Sequence, residues 1–194
     1  NYLTMKQFEE AINIYKKEHS LSNDELESID SGDFSRVLSS FYSFDNVSES
    51  EVYKNYFSLL FRNIIRFVDS SFIPKEKKAI SNYKYQWMVT QNIFGNIGLD
   101  TYICGDEKAF IGFASKFSQE NYSQNDEYVQ AAMGEFLNQI NGLFLVNMSN
   151  NNVELELTPQ AVYSNGVLTE LSEAYCITIE FPFGVIDFMI SKSN

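Results

Sequence analysis

A glutamate and an asparagine three positions apart are the residues of this sequence whose types and spacing best suit chemistry. Glu135 and Asn138 stand in the stretch GEFLNQING. A carboxylate can hold a lysine or an arginine, and a carboxamide can donate and accept hydrogen bonds at once, which suits the orientation of a water molecule. Neither side chain is a nucleophile, and no second carboxylate stands nearby. We therefore expect half of a site that another molecule completes.

The Glu-x-x-Asn spacing by itself is uninformative. With 17 Glu and 19 Asn among 194 residues, chance gives about two such pairs. The chain contains two, and the second is Glu10/Asn13 in FEEAINIYKKEHS. That charged stretch predicts an ordinary solvated helix.

The position of Glu135 and Asn138 on a helix is more informative, because each residue turns the helix by about 100°. One predicted apolar stripe consists of Val129, Ala132, Met133, Phe136, Ile140 and Leu143. The opposite side carries Ala131, Glu135, Asn138 and Gly142. Small flanking residues would leave the carboxylate and the carboxamide open to a partner surface. An ordinary solvated helix face is the alternative.

Charge and composition exclude several classes of protein. A net charge of −12 argues against a nucleic-acid binder, which needs clustered Lys and Arg. The only histidine is His19, so a serine–histidine–aspartate triad or a multi-histidine metal site is not expected. No run approaches the roughly 18 apolar residues of a membrane span. Cys104 and Cys176 lie far apart, without a Cys-x-x-Cys motif, and predict buried, reduced thiols in a cytoplasmic protein.

Capping boxes, in which a Ser or Thr precedes a Glu or Gln by three residues, predict three early helix starts. They are Thr4…Gln7, Ser22…Glu25 and Ser48…Glu51. The last would open a long helix over about residues 49–72, ended by Pro74 and the charged PKEKK. The sequence thus predicts an all-helical segment to about residue 80.

The rest of the chain predicts strands and two more helices. Residues 83–104 predict a hairpin, with YQWMVTQNI and IGLDTYIC separated by FGNIG. Asp106 would cap a short helix, and Asn125 or Asp126 the helix that carries Glu135. Alternating residues at 153–157 and 175–181, and a PFG turn into a last strand, predict an antiparallel sheet covered on one side. The expected fold class is α+β, with long helices packed on a mainly antiparallel sheet.

This arrangement resembles the CheX branch of the CheC/CheX/FliY chemotaxis phosphatases. The family has a Glu-x-x-Asn helix, a Gly shortly after it, and a Pro where the following strand ends. Here these are Glu135, Asn138, Gly142 and Pro159. The strand–strand–helix block and the closing strands also follow the family order, so the resemblance covers about residues 45–192. It implies a CheC-like domain over residues 45–194, preceded by a helical extension over residues 1–44.

The resemblance also implies a function. A member of this family binds a phosphorylated CheY-type response regulator and speeds hydrolysis of its aspartyl phosphate. Glu135 would pair with the regulator's active-site lysine, and Asn138 would hold the attacking water in line. The regulator would supply Mg²⁺, so no cofactor of the chain's own is expected.

Two positions depart from the family pattern. Ala131 stands where the family often has Asp or Ser, and Pro159 follows Asn138 at a slightly shorter spacing. The helix at 49–72 has no Glu-x-x-Asn, so a single site is expected. The resemblance leaves a homodimer open, since exposed strand edges give a route to one.

Two other functions compete with phosphatase activity. The first is a non-catalytic module of the same fold that docks a regulator or a flagellar-switch protein. The second is a small-molecule sensor that uses aromatic residues of the sheet. No polar constellation favours the sensor, which ranks last.

Overall fold

Three helices lie against one seven-stranded sheet in the computed structural model, which describes residues 43–69 and 71–194. The helices are α1 (Ser50–Phe67), α2 (Glu107–Ser118) and α3 (Glu127–Ser149). The strands are β1 (Ile73–Ile80), β2 (Tyr83–Gly95), β3 (Leu99–Gly105), β4 (Leu155–Leu157), β5 (Ala161–Leu168), β6 (Ser172–Phe181) and β7 (Gly184–Lys192). None of these helices is both long and apolar enough to cross a membrane.

Several predictions concern residues 1–42, which lie outside the described part of the chain. They are the capping boxes at Thr4 and Ser22, the pair Glu10/Asn13, His19, and nearly all of the helical extension over residues 1–44. These predictions, and the domain boundary after residue 44, stay predictions.

The sheet confirms the predicted α+β class. Its strand order is β1-β6-β7-β3-β2-β4, and β5 also pairs with β2. Every pair is antiparallel. The 13-residue β2 is long enough to pair along one edge with both β4 and β5. It therefore lies at the centre of the surface on which α3 packs.

The first long helix starts within one residue of its predicted start, but its predicted capping box and its predicted end were wrong. α1 begins at Ser50 after Glu49, without a side-chain cap. Ser48 instead donates from its backbone N–H and its hydroxyl to the carboxylate of Glu173, at 2.6 and 3.0 Å. That contact satisfies the groups which the predicted capping box would have used. α1 ends at Phe67, five residues before the predicted end.

The charged segment after Pro74 forms strand β1 and was wrongly predicted to end a helical region. Among the strands that the structure describes, β1 pairs only with β6, at the edge of the sheet. Edge strands tolerate proline near their start and commonly carry lysines that discourage edge-to-edge pairing. Lys75 forms an exposed ion pair with Glu180 of β6 at 2.7 Å.

Aromatic rings form the centre of the core between the helices and the sheet. Phe113 of α2 packs edge-on against Phe136 of α3 and Phe181 of β6, with ring centroids 4.8 and 5.6 Å apart. Tyr56 of α1 meets Phe144 of α3 in the same way at 5.3 Å. α3 therefore packs against both other helices, α1 and α2, as well as against the sheet.

The predicted apolar stripe of α3 is correct except at its last position. Val129, Ala132, Met133, Phe136 and Ile140 are buried, but Leu143 is 43% exposed and Phe144 is buried in its place. The buried face of α3 continues through Asn141, Phe144 and Met148, and Phe144 packs against Tyr56 of α1, which leaves Leu143 outside it.

The face of the sheet opposite the helices is less exposed to solvent than predicted. A second apolar cluster lies there, formed by Met88, Tyr102, Cys104, Cys176 and Met189. These residues alternate along their strands with core residues such as Val89, Ile103 and Ile177. The two cysteines are buried and free, as predicted.

Candidate functional site

The helix that carries Glu135 and Asn138 is held firmly at its start. Asp126 caps α3, accepting from the backbone N–H groups of Tyr128 and Val129 at 3.0 and 3.2 Å. Asp106 caps α2 in the same manner through Ala109 N–H at 2.7 Å. Both caps follow the sequence prediction, because an extended Asp at the N-cap satisfies amides that the helix leaves unpaired.

The structure brings the predicted small-residue stripe together on the accessible side of α3. Ala131 and Glu135 are exposed, and Asn138 and Gly142 are half-buried. A Cβ added at Gly142 would meet nothing within 4 Å. A partner surface can therefore approach the helix backbone closely beside Asn138.

Glu135 has no partner among the described residues, with neither a hydrogen bond nor an ion pair to its carboxylate. It borders a shallow groove of about 280 Å³ between α3 and the chain that follows β4. The groove is lined by Gln130, Ala131, Gly134, Glu135, Gln160 and Val162. An unpaired carboxylate beside a groove can accept a basic side chain from another protein.

Asn138 is held from behind by a buried side chain of β2. Its Oδ1 accepts a hydrogen bond from Gln91 Nε2 at 2.9 Å. Gln91 is only 2% exposed. Its Oε1 accepts from Asn141 Nδ2 at 2.8 Å, and Asn141 Oδ1 accepts from the Tyr56 hydroxyl at 2.7 Å. We call Tyr56, Asn141 and Gln91 the buried amide chain.

Two backbone carbonyls, which can only accept, set the direction of every hydrogen bond in the buried amide chain. Gln91 Nε2 also faces the backbone carbonyl of Thr158 at 2.9 Å, which can only accept. The Thr101 hydroxyl donates to the backbone carbonyl of Gln91 at 2.8 Å and so accepts from Asn141 Nδ2 at 3.0 Å. The orientation of both buried amides follows from these contacts.

Tyr56 is the hydrogen-bond donor at the end of the buried amide chain. Burial raises the pKa of its hydroxyl above the ordinary value, against a smaller opposing effect of Thr101. The hydroxyl therefore stays protonated at neutral pH and donates to Asn141.

Pro159 lies exposed in the connection between β4 and β5, and its two neighbours make the contacts there. Thr158 exchanges hydrogen bonds with Asn92 of β2, each 3.0 Å long. Gln160 Nε2 donates to the carbonyl of Gly134 on α3 at 3.3 Å. The proline, with its fixed φ, thus stands between a contact to the sheet and a contact to the site helix.

Sequence reasoning missed the residues behind Asn138. Gln91 lies between the inward-facing Val89 and Ile93, and Thr101 lies between Leu99 and Ile103. The two are direct cross-strand partners. The available signal was a polar residue at the same inward position of both strands of the predicted hairpin, below the site helix.

The described part of the chain has no group of three or more His, Cys, Asp or Glu side chains arranged to hold a metal ion. The accessible face of α3 presents one carboxylate, Glu135, and one carboxamide, Asn138, that Gln91 orients.

Comparisons with known proteins concern the family and the fold. Residues 88–182 match the family model described as chemotaxis phosphatase CheX. No curated protein matches the chain.

Solved structures of CheC-like and CheX proteins have the same fold. A CheC-like superfamily protein from Shewanella sp. PV-4 has a TM-score of 0.62 at 16% identity, covering 72% of this chain and 95% of its own. CheX from Desulfovibrio desulfuricans has a TM-score of 0.61 at 12% identity, covering 74% and 99%. CheX in the CheX–CheY–BeF3–Mg²⁺ complex from Borrelia burgdorferi has a TM-score of 0.59 at 19% identity, covering 72% and 96%. The match of residues 88–182 to the CheX family model, together with this shared fold, supports a CheX-like member of the CheC/CheX/FliY family.

Proposed function

We propose that this chain accelerates hydrolysis of the aspartyl phosphate of a CheY-type response regulator, in chemotaxis or related two-component signalling. The observation that carries the proposal is the pairing of an unpartnered carboxylate, Glu135, with a carboxamide held from behind, Asn138, on one accessible helix face. The family is described as a chemotaxis phosphatase. The similar Borrelia burgdorferi structure contains CheX together with CheY, BeF3 and Mg²⁺.

In this proposal the two residues divide the work. Glu135 pairs with a lysine of the regulator and fixes how the two proteins meet. Asn138 enters the regulator's site and aligns a water molecule with the phosphorus atom. Ala131 and Gly142 keep the helix face narrow enough for this approach, and Pro159 shapes the adjoining connection.

The reaction needs little covalent chemistry from this chain. The water oxygen bonds to phosphorus, the bond between phosphorus and the aspartate oxygen breaks, and inorganic phosphate leaves with the proton that the water gives up. Positioning and orientation supply most of the acceleration in such a transfer. The regulator provides the phosphoaspartate and the Mg²⁺, and this chain needs no cofactor of its own.

A non-catalytic docking module is the rival function. The same exposed face would then bind a regulator or a flagellar-switch protein without changing the lifetime of the phosphate. An unpaired carboxylate at the rim of a groove supports docking equally well.

Two measurements on one preparation separate these functions. The decay of phosphoaspartate on a cognate regulator is followed with and without the wild-type chain, and binding is measured to the same regulator activated with beryllofluoride. Binding with faster decay supports the phosphatase. Binding with unchanged decay would establish the rival and overturn the proposal.

The oligomeric state stays a prediction. β1, β4 and β5 each pair with a single strand among the described residues, so both sides of the sheet offer an edge for a second copy. Light scattering of the full chain would test for the homodimer that the resemblance leaves open.

A further inference from the structure

A continuous hydrogen-bonded path runs from α1 through the core to the carboxamide of Asn138. We infer that Gln91, supported by Asn141 and Tyr56, is a positioning residue that fixes the carboxamide of Asn138 with Oδ1 toward the core and Nδ2 toward the partner. The inference rests on the proposed function and deepens it, because it assigns the atom of Asn138 that meets the phosphoryl group and its water.

The orientation of the Gln91 side chain is fixed, and it determines the orientation of Asn138. Gln91 Nε2 is bound to the Thr158 carbonyl and cannot reverse without losing that acceptor. It therefore presents a donor to Asn138, at 2.9 Å from Oδ1. If the carboxamide of Asn138 turned over, two N–H donors would face each other beside a buried side chain.

Every polar side-chain group of Gln91 and Asn141 has a hydrogen-bond partner. Both N–H groups of Gln91 and both N–H groups of Asn141 have acceptors, and each side-chain oxygen accepts one bond. Asn141 is fully buried. A buried network with every group paired is rigid and holds one arrangement.

The atom of Asn138 that faces outward is the amide nitrogen, Nδ2. None of the described residues accepts a hydrogen bond from Asn138 Nδ2, whereas Oδ1 is occupied. An N–H donor is suited to the oxygen of an attacking water, which keeps its second lone pair for phosphorus. It is equally suited to the phosphoryl oxygens, on which negative charge is spread in the transition state.

The terminal amide of a half-buried asparagine otherwise rotates over a broad range. Without Gln91, Asn138 would present its nitrogen only part of the time and lose preorganisation. Docking through Glu135 would be unaffected. The inference thus predicts a change in the rate at saturation and no change in KM.

Gln91→Met tests this step, because methionine has a similar length and cannot make any of the three side-chain hydrogen bonds of Gln91. Its matched control is Thr90→Val, one residue along β2, which removes the 2.8 Å hydrogen bond to the Thr101 carbonyl without touching Asn138. We expect the saturating rate of phosphoaspartate hydrolysis to fall roughly ten- to hundredfold in Gln91→Met, with KM and the Thr90→Val rate unchanged. A folded Gln91→Met with the wild-type rate would overturn the inference.

Asn138→Ala keeps this test separate from that of the proposed function. If Asn138→Ala retains the wild-type rate, the proposed function fails. If Asn138→Ala loses the rate and Gln91→Met does not, only the positioning role fails.

A measurement on the wild-type chain without substrate does not depend on whether the variants fold. ¹⁵N relaxation of the wild-type chain reports the order parameter of the Asn138 side-chain NH2 group. We expect it to match the backbone of α3 in the wild type and in Thr90→Val, and to fall in Gln91→Met. A mobile Asn138 NH2 group in the wild type would contradict the inference, whatever the variants show.

Discussion

At the scale of single residues, the charge of Glu135 and the amide of Asn138 have different roles, and substitutions should separate them. Glu135 has no ionic partner among the described residues, so its charge remains available for another molecule. Asn138 is already tied to Gln91 at 2.9 Å. We therefore expect Glu135 to govern binding of the regulator and Asn138 to govern the rate of hydrolysis.

Replacing Glu135 with glutamine should raise KM for the phosphorylated regulator about tenfold, equivalent to about 1.4 kcal/mol. The saturating rate should change little, since an ion pair made in both ground and transition states contributes to binding alone. Steady-state kinetics at two salt concentrations measure this effect. Glu127→Gln, an equal charge change at the exposed start of α3, is the control. Equal KM and salt dependence in the wild type and Glu135→Gln would contradict the docking role.

The sequence predicted the exposed residues of the site better than the buried ones behind it. Helical spacing was enough to place Glu135 and Asn138 on one accessible face. The contact from Gln91 depends on the register between β2 and β3 and on how α3 crosses them, and neither quantity can be obtained from the spacing of residues along one element.

At the scale of elements, two helical glycines have opposite surroundings. A Cβ at Gly142 of α3 would stand in open space. A Cβ at Gly112 of α2 would lie 2.4 Å from Cγ of Phe183, in the turn before β7. The same chemical change should therefore have opposite effects in the two helices.

Gly142→Ala should raise the free energy of unfolding by about 0.5–1 kcal/mol, because alanine favours the helical backbone. Gly112→Ala should lower it by about 1–3 kcal/mol, because the Phe183 ring must be displaced. Urea unfolding of both variants and the wild type measures these changes. A destabilised Gly142→Ala would mean that the face beside Asn138 is not open.

The elements also differed in how well the sequence predicted them. Both Asp caps and the β2–β3 hairpin were correct because local hydrogen bonding and alternation define them. β1 was missed because its lysines and proline resemble a helix-ending loop, while its strand conformation comes from pairing with β6, about 100 residues away. Pairing over such distances leaves only a weak local signal.

At the scale of the whole molecule, the sheet carries a core on each face. Cys104 and Cys176 lie in the smaller cluster, on strands β3 and β6 that flank β7. Burial raises the pKa of both thiols above the usual value, with Asp187 adding to the effect. The folded protein therefore keeps both thiols protonated where an unfolded chain would ionise them.

Both thiols should resist a thiol-specific disulfide reagent at pH 8 in the native protein and react fully in urea. The labelling rate should follow global unfolding, because only an opened sheet exposes them. The raised thiol pKa values make their full contribution to the free energy of unfolding below about pH 9. This contribution declines as the pH rises further, because the unfolded state then releases the thiol protons. Rapid labelling of the native chain would show that the second cluster is open.

At the scale of the whole protein, the proposed acceleration of hydrolysis depends on Asn138. The most direct measurement is the decay of phosphoaspartate on a cognate regulator with the wild type, Asn138→Ala and Gln139→Ala. Gln139 is the adjacent carboxamide and is bound to Asn63 of α1 at 3.3 Å, away from the accessible face. We predict that Asn138→Ala loses nearly all acceleration, about a hundredfold or more, while Gln139→Ala keeps the wild-type rate. Equal decay with Asn138→Ala and the wild type would contradict the account.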